Sequence, residues 1–256
     1  MKILVTGAAG FVGSRLAAFL RKSDEVVGVD PRWGPQVNRQ GIASQECGGE
    51  AFDVVYHLGG MIDVSTCETN PIGAWEANVV ESVRLAQKVT TKRAFVYSTS
   101  YAALTPVNIY GKVKSETDFW LSKMNLPYAS VMLPNVFGVG GSGVVSQFMF
   151  QKEPVIFGSG EQVREFIYID DVVSTLIDIG LNPELGQHRL GGEKKTINAI
   201  ADLLHRTIRH EKARPYEVEE VPDMQPTWFS SRSFLDGLKK MHSEAIEVGM
   251  TIYGVP

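Results

Sequence analysis

The 256-residue sequence predicts an α/β protein built on a doubly wound parallel sheet, and three observations carry that reading. Short apolar runs of strand length recur (Ile3-Leu4-Val5, Val26-Val27, Phe52 to Leu58, Ala94 to Tyr97), separated by stretches of helical periodicity. The first run passes straight into a glycine turn, Thr6-Gly7-Ala8-Ala9-Gly10-Phe11-Val12-Gly13, and the second ends on an acid, Asp30. Polar side chains able to do chemistry follow at the ends of later strands, the edge where such sheets hold their ligands.

The opening strand, turn, helix and strand read as a dinucleotide cradle. Gly7 permits the tight turn out of the strand, Gly10 lets backbone approach a pyrophosphate, and Gly13 lets the helix close on the sheet. The phosphates then meet free amides at the helix N-terminus, around Phe11 and Val12, where the dipole favours an anion. Val12, Leu16, Phe19 and Leu20 recur at helical spacing and are expected to lie on the sheet. Asp30 ends the second strand, where a carboxylate takes the adenosine ribose hydroxyls and repels a 2′-phosphate. NAD is therefore expected over NADP, with Arg32 the nearby cation that would oppose this preference.

Composition narrows the class. A chain with 44% hydrophobic residues can bury a full core, as one large domain or a domain with a lobe. A net charge of -4 and a pI near 5.8 give no electrostatic footprint for nucleic acid or an anionic membrane surface. No apolar run approaches a membrane span, and no secretory segment precedes the two cysteines, Cys47 and Cys67. They are expected to be reduced thiols of a cytoplasmic protein with small-molecule ligands.

Between Pro31 and Glu50 the sequence is polar and glycine-rich, with at most a weak strand near Ile42, so a third strand there is doubtful. Phe52 to Leu58 is a buried strand that delivers Leu58, Gly59 and Gly60 to the cofactor. His57, with no acid near it in sequence, reads as a packed residue in preference to a catalytic base. Pro71 opens a helix through Trp75, Val79, Val83 and Leu85 that carries Asn78. Ala94 to Tyr97 then runs into the hydroxyls of Ser98-Thr99-Ser100. Ten residues beyond Ser100, Tyr110 and Lys114 stand four apart on a new helix and share a face. An ammonium beside a phenol favours the phenolate, lowering a reference pKa of about 10 toward the working pH. Tyr110 is thereby a candidate general acid or base for alcohol–ketone interconversion. Further on, Asp170-Asp171 suits a helix start and not a metal site, and Thr196 opens a helix to about Arg209. No metal ligand set is read anywhere.

In this order, Thr6-Gly7-x-x-Gly10-x-x-Gly13, Asp30, His57-Leu58-Gly59-Gly60, Asn78, Ser100 and Tyr110-x-x-x-Lys114 resemble the extended short-chain dehydrogenase/reductase family, nearest to its nucleotide-sugar epimerases and dehydratases. Leu133-Pro134-Asn135-Val136-Phe137-Gly138 and the run from Gly158 to Val172 resemble two further segments of that family, so the likeness extends to about residue 195. The resemblance implies that Tyr110 transfers the proton and that Lys114 tunes it and binds the nicotinamide ribose of NAD. It implies that Ser100, with Thr99 as the alternative, polarises the reacting oxygen, and that Asn78 supports the hydrogen bonding around the cofactor. Asn135 and Arg164 match positions that contact the diphosphate of a nucleotide sugar, for which a planar guanidinium is well shaped. A Rossmann-like domain is implied over 1–135 and about 166–192, with a small, partly discontinuous substrate lobe over about 136–165 and 193–256. A homodimer is implied too, paired through the helices of Asn78 and Tyr110, with Trp75, Val79, Phe119 and Trp120 supplying apolar bulk.

The sequence also departs from the family. Met132 stands where relatives usually carry arginine, the link from Ser100 to Tyr110 is short, the acid near the adenine has only Glu46 as a candidate, and the stretch from Pro215 on lacks the usual lobe motifs. Related dehydratases place an acid and base directly after the catalytic hydroxyl, and Tyr101 to Ile109 holds no carboxylate. The expected reaction is therefore 4-epimerisation of a nucleotide-linked sugar. Dehydration, decarboxylation and reduction are the alternatives, with Tyr101 as another acid/base group and a non-catalytic NAD-binding protein as the remaining reading.

Overall fold

Strands covered on both faces must be apolar throughout, and Ile3, Leu4, Val5, Val54, Val55, Phe95 and Val96 are fully buried. They belong to β1 (Lys2–Thr6), β3 (Ala51–His57) and β4 (Thr90–Ser100). The computed structural model describes residues 1–32, 42–214 and 225–255 and divides into two units, Met1–Leu133 with Val173–Arg189, and Pro134–Val172 with Leu190–Pro256. In the first unit these three strands are joined by β2 (Glu25–Val29), β5 (Tyr128–Leu133) and the first four residues of β9 (Gly186–Gly191). All pair in parallel, in the order β9-β5-β4-β3-β1-β2. The winding reverses between β1 and β3, which opens a crevice at their carboxyl ends. Among the described residues β2 is the edge. Where a weak strand was expected, Ile42 caps the four-residue helix α2 (Ala43–Glu46), and residues 33–41 lie outside the described residues.

The helices of this unit show which periodicity won. On α1 (Phe11–Leu20) the buried face is Gly13, Leu16, Ala17 and Leu20, whereas Phe19, expected on the sheet, is half exposed. Helix α3 (Val64–Thr69) is capped by Asp63, and α4 (Pro71–Trp75) starts with proline at its first turn beneath the Asn70 cap. The helix expected from Pro71 onward is not uniform. Between α4 and α5 (Glu81–Lys88) lies a π-helical turn, Glu76–Val80, and Asn78 sits inside it. Helix α6 (Ile109–Ser122) buries Lys114, Thr117 and Asp118 along with Val113 and Leu121, a polar content that packing alone does not call for.

The second unit contains β6 (Asn135–Phe137), α7 (Val144–Phe150), β7 (Val155–Phe157), β8 (Val163–Tyr168), β10 (Glu193–Thr196), α9 (Ile197–Leu203), β11 (Arg209–Glu211), β12 (Trp228–Phe229) and α10 (Phe234–Glu247). Its small sheets are β10-β8-β6 and β11-β7, and β12 pairs with Leu190-Gly191. Phe137 and Phe166 pack on Phe234 in its core, and Tyr168 packs on Phe137. Residues 166–172, placed with the first domain by sequence, lie in this unit. They include the first turn of α8 (Ile169–Leu181), where Asp170 and Asp171 stand as helix-start acids. Helix α9 stops at Leu203, short of the Arg209 expected, and His205 takes a left-handed φ of 51° just beyond it. No helix among the described residues is long and apolar enough to cross a membrane.

Candidate active site

The glycine turn is shaped by contacts that exclude a side chain. Gly7 has φ of +68°, and a Cβ on Gly13 would overlap the Gly7 carbonyl oxygen, so α1 starts against bare backbone. Asp30 follows β2 directly, with its side chain 1% exposed. The Ala9 amide donates to its Oδ2 at 3.1 Å, tying the acid to the turn. Burial alone would raise this carboxyl. The hydrogen bonds from Arg32 and Ala9 outweigh it and hold the carboxyl below its ordinary value.

His57 ends β3 inside a chain of hydrogen bonds whose protons can all be assigned. The Ser82 hydroxyl donates to the Asn78 carbonyl, which can only accept, so Ser82 Oγ must accept from His57 Nε2–H at 2.6 Å. His57 Nδ1 is then the acceptor for the Thr6 hydroxyl at 2.7 Å, and Thr6 Oγ1 accepts the Gly59 amide at 3.0 Å. Burial, helped by the Lys114 charge, drops the imidazole to about 3, so it stays neutral and cannot serve as a base near neutrality. It is packed at the end of an apolar strand and links the loop at Gly59 to the π-helical turn. There Asn78 Nδ2 donates to the carbonyls of Met61 and Ala74, at 3.1 and 2.9 Å. Its Oδ1 has no partner among the described residues and lies where a Cβ on Gly60 would be.

At the end of β4, Ser100 and Tyr110 meet, and the Ser100 hydroxyl acts on the phenol by hydrogen bond. Thr99, one residue earlier, points to the other face, with its hydroxyl buried and without a hydrogen bond among the described residues. The geometry thus brings Ser100, and not Thr99, to the tyrosine. Tyr110 packs on Cys67, Ala74, Val79 and Val113. Its helix is fixed at the start by two oxygens: Asn108 Oδ1 accepts the Gly111 amide at 2.8 Å, and Glu68 Oε1 accepts the Ile109 amide at 2.6 Å. Lys114 shares Tyr110's face, but its ammonium donates to the Ser98 carbonyl at 2.9 Å and lies 4.8 Å from the Tyr97 ring centre. Burial lowers it to about 8. The expected lowering of the phenol is absent, because burial raises Tyr110 more than the Ser100 bond lowers it. The four-residue spacing sets the face, while the Ser98 carbonyl decides where the ammonium goes.

A family model described as the NAD dependent epimerase/dehydratase family matches residues 3–197. The chain belongs to that family. Among curated relatives, a UDP-glucuronate 4-epimerase of Thermodesulfobacterium geofontis is 28% identical over 280 residues, covering 88% of this chain and 86% of its own. A dTDP-glucose 4,6-dehydratase of Escherichia coli is 25% identical over 297 residues, covering 87% and 82%. The fold is shared with a UDP-glucose 4-epimerase of Thermotoga maritima solved with UDP-glucose, at a TM-score of 0.82, 24% identity and coverage of 97% and 99%.

For this epimerase/dehydratase chain the cofactor is NAD, and the residues fit it. The glycine turn carries no side chain of its own to bar a pyrophosphate, Asp30 offers a buried carboxylate, and the unpartnered Asn78 Oδ1 at Gly60 offers an acceptor to a cofactor hydroxyl. Among the described residues no group of three or more His, Cys, Asp or Glu stands together as metal ligands. In the second unit, Asn135 and Arg164 stand on the paired strands β6 and β8. Asn135 Nδ2 donates to the Glu165 carbonyl at 3.2 Å, and Arg164 Nη1 to the Val163 carbonyl at 2.9 Å. The arginine missing at Met132 has a neighbour. Arg189 is the cross-strand partner of Met132, is 6% exposed, and stacks its guanidinium 4.3 Å from the Tyr101 ring centre. The sequence reading overlooked Arg189 and Glu68, since each acts on a residue far along the chain, with no local spacing signal.

Proposed function

We propose that the protein is an NAD-dependent 4-epimerase of a nucleotide-linked sugar. The observation that carries this reading is Ser100 beside Tyr110 at the carboxyl end of β4, with Lys114 on the tyrosine's helix face and no carboxylate in the Tyr101 to Ile109 link. Gly7, Gly10, Phe11, Val12, Gly13, Asp30, Leu58, Gly59, Gly60 and Asn78 hold the cofactor with Tyr110 and Lys114, and Asn135 and Arg164 hold the substrate diphosphate. Bound NAD would supply the acceptor and then the donor of a hydride at the sugar carbon, so the reaction would have no net redox change. Tyr110 Oη takes the proton of the sugar hydroxyl and later gives it back to the same oxygen. Ser100 gives up its bond to Tyr110 and donates its one hydroxyl proton to that oxygen. Lys114, whose ammonium rests on the Ser98 carbonyl, binds the nicotinamide ribose and brings positive charge toward the phenol when the cofactor is in place, favouring the phenolate that the step requires. Names of relatives include both 4-epimerases and 4,6-dehydratases. The acid-free link favours the first, because loss of water needs a further acid and base beside the sugar.

Incubation with UDP-, GDP- and dTDP-hexoses tests the assignment. An isomer of unchanged mass, formed without net cofactor reduction and absent with Tyr110→Phe, supports it; a product lighter by one water or one carbon dioxide overturns it. The active form is a homodimer in this reading, since Trp75, Phe119 and Trp120, joined by Ile72, leave 41%, 52%, 48% and 73% of their surface exposed on α4 and α6, whereas Val79, expected to add to that face, is buried against Cys67, Ala74 and Val113. A monomer mass by light scattering at micromolar concentration would end that part of it. Cys47 and Cys67, buried and not joined in a disulfide, fit a reducing compartment, the cytoplasm.

A further inference from the structure

We propose that Arg32 is a latch on the ribose end of the cofactor cradle, closed over Asp30 without the dinucleotide and displaced when the ribose binds, and that it thereby limits the preference for NAD over NADP. The inference rests on the reading of Asp30 as the ribose acceptor. Four donors converge on that carboxylate. Oδ1 accepts the Arg32 amide at 2.8 Å and Arg32 Nε at 3.1 Å, while Oδ2 accepts the Ala9 amide and Arg32 Nη2, each at 3.1 Å. A carboxylate has about four lone-pair positions, so the acid that the ribose diol must reach is already saturated.

Two of those donors are backbone amides fixed by the turn and cannot leave. The other two belong to a guanidinium whose side chain is 66% exposed, so it can swing into water while Asp30 stays buried. The same Nη2 lies 3.2 Å from the place a Cβ on Gly10 would take, so the closed latch also covers the glycine at which backbone should meet the pyrophosphate. Displacement has two consequences of opposite sign. NAD must break a two-pronged, charge-assisted contact before its ribose can bond, which weakens it. A 2′-phosphate would meet the displaced guanidinium beside it, which offsets the repulsion from Asp30.

Calorimetric titration of the full chain with NAD and with NADP tests the latch, using wild type, Arg32→Met and Asp30→Asn. Arg32→Met keeps an apolar stem in place and removes only the fork. It is expected to bind NAD about two- to fivefold more tightly, the scale of one half-exposed ion pair, and to bind NADP more weakly. Asp30→Asn is expected to bind NAD more weakly than wild type. NAD binding that is unchanged or weaker in Arg32→Met, with Asp30→Asn impaired, overturns the latch and leaves the ribose reading intact. Wild-type NAD affinity in Asp30→Asn overturns the ribose reading, and the latch with it.

Discussion

Two buried ionisable groups stand near the carboxyl edge of one sheet, and the protein treats them in opposite ways. At the end of β3, His57 is silenced: both ring nitrogens are bonded, every proton in its chain is assigned, and its pKa lies near 3. At the end of β4, Lys114 keeps its charge near neutrality with a single carbonyl and a ring face beneath it, although burial has brought it down to about 8. A buried polar group that serves the fold is saturated, because an unmet partner there costs stability. A buried charge kept under-satisfied costs stability as well and is retained where chemistry needs it. The contrast sets a saturated network at the end of β3 beside an under-satisfied charge at the end of the neighbouring strand β4.

Activity should divide these regions most sharply. Tyr110→Phe and Lys114→Met are each expected to lose about 10²- to 10⁴-fold in kcat on a substrate nucleotide sugar, the usual range for a proton-transfer group. His57→Gln, which touches no reacting atom, should keep kcat within tenfold; a loss matching that of Tyr110→Phe would erase the distinction.

Stability should divide them with opposite signs. Replacing His57 by alanine strands the Thr6 and Ser82 hydroxyls in the interior and is expected to cost about 2–4 kcal/mol in urea unfolding. Lys114→Met removes a buried charge, and at pH 7 should stabilise by about 1–3 kcal/mol, since its depressed pKa is free energy spent on keeping the ammonium. Destabilisation by Lys114→Met would show that the Ser98 contact is a structural bond and not a tolerated charge.

The smallest expected effect is in the pH dependence. His57 remains neutral in the fold down to about 3, whereas in the unfolded chain it gains a proton below its ordinary 6.5. The unfolded state therefore binds more protons in that window. Its contribution to stability is complete above pH 6.5 and is lost as pH falls toward 3, with a limiting slope of about 1.4 kcal/mol per pH unit. Urea midpoints at pH 7 and pH 5 should converge more for His57→Gln than for wild type; equal slopes would mean that the imidazole titrates normally.

The legibility of the two regions in sequence differs for the same physical reason. The glycine turn, Asp30 and the parallel sheet follow from local constraints, namely bare backbone, strand-length apolar runs and an acid at a strand end, so they could be read from short windows. The face shared by Tyr110 and Lys114 was equally legible from helical spacing. What spacing could not give was the ammonium's choice of the Ser98 carbonyl, the Glu68 carboxylate on the Ile109 amide, or Arg189 lying beside Met132. Each depends on elements brought together by sheet order. The π-helical turn at Asn78 was hidden as well, because one extra residue in a turn leaves the apolar pattern from Pro71 nearly unchanged.

The most direct test of transient oxidation at C4 uses a nucleotide hexose carrying deuterium at C4, incubated in ordinary water with NAD-loaded protein. Removal of hydride and its return to the opposite face predict an epimer of unchanged mass with the deuterium still on C4, and no such product from Tyr110→Phe. Exchange of that deuterium with solvent, its accumulation on released reduced cofactor, or a product lighter by one water would contradict it.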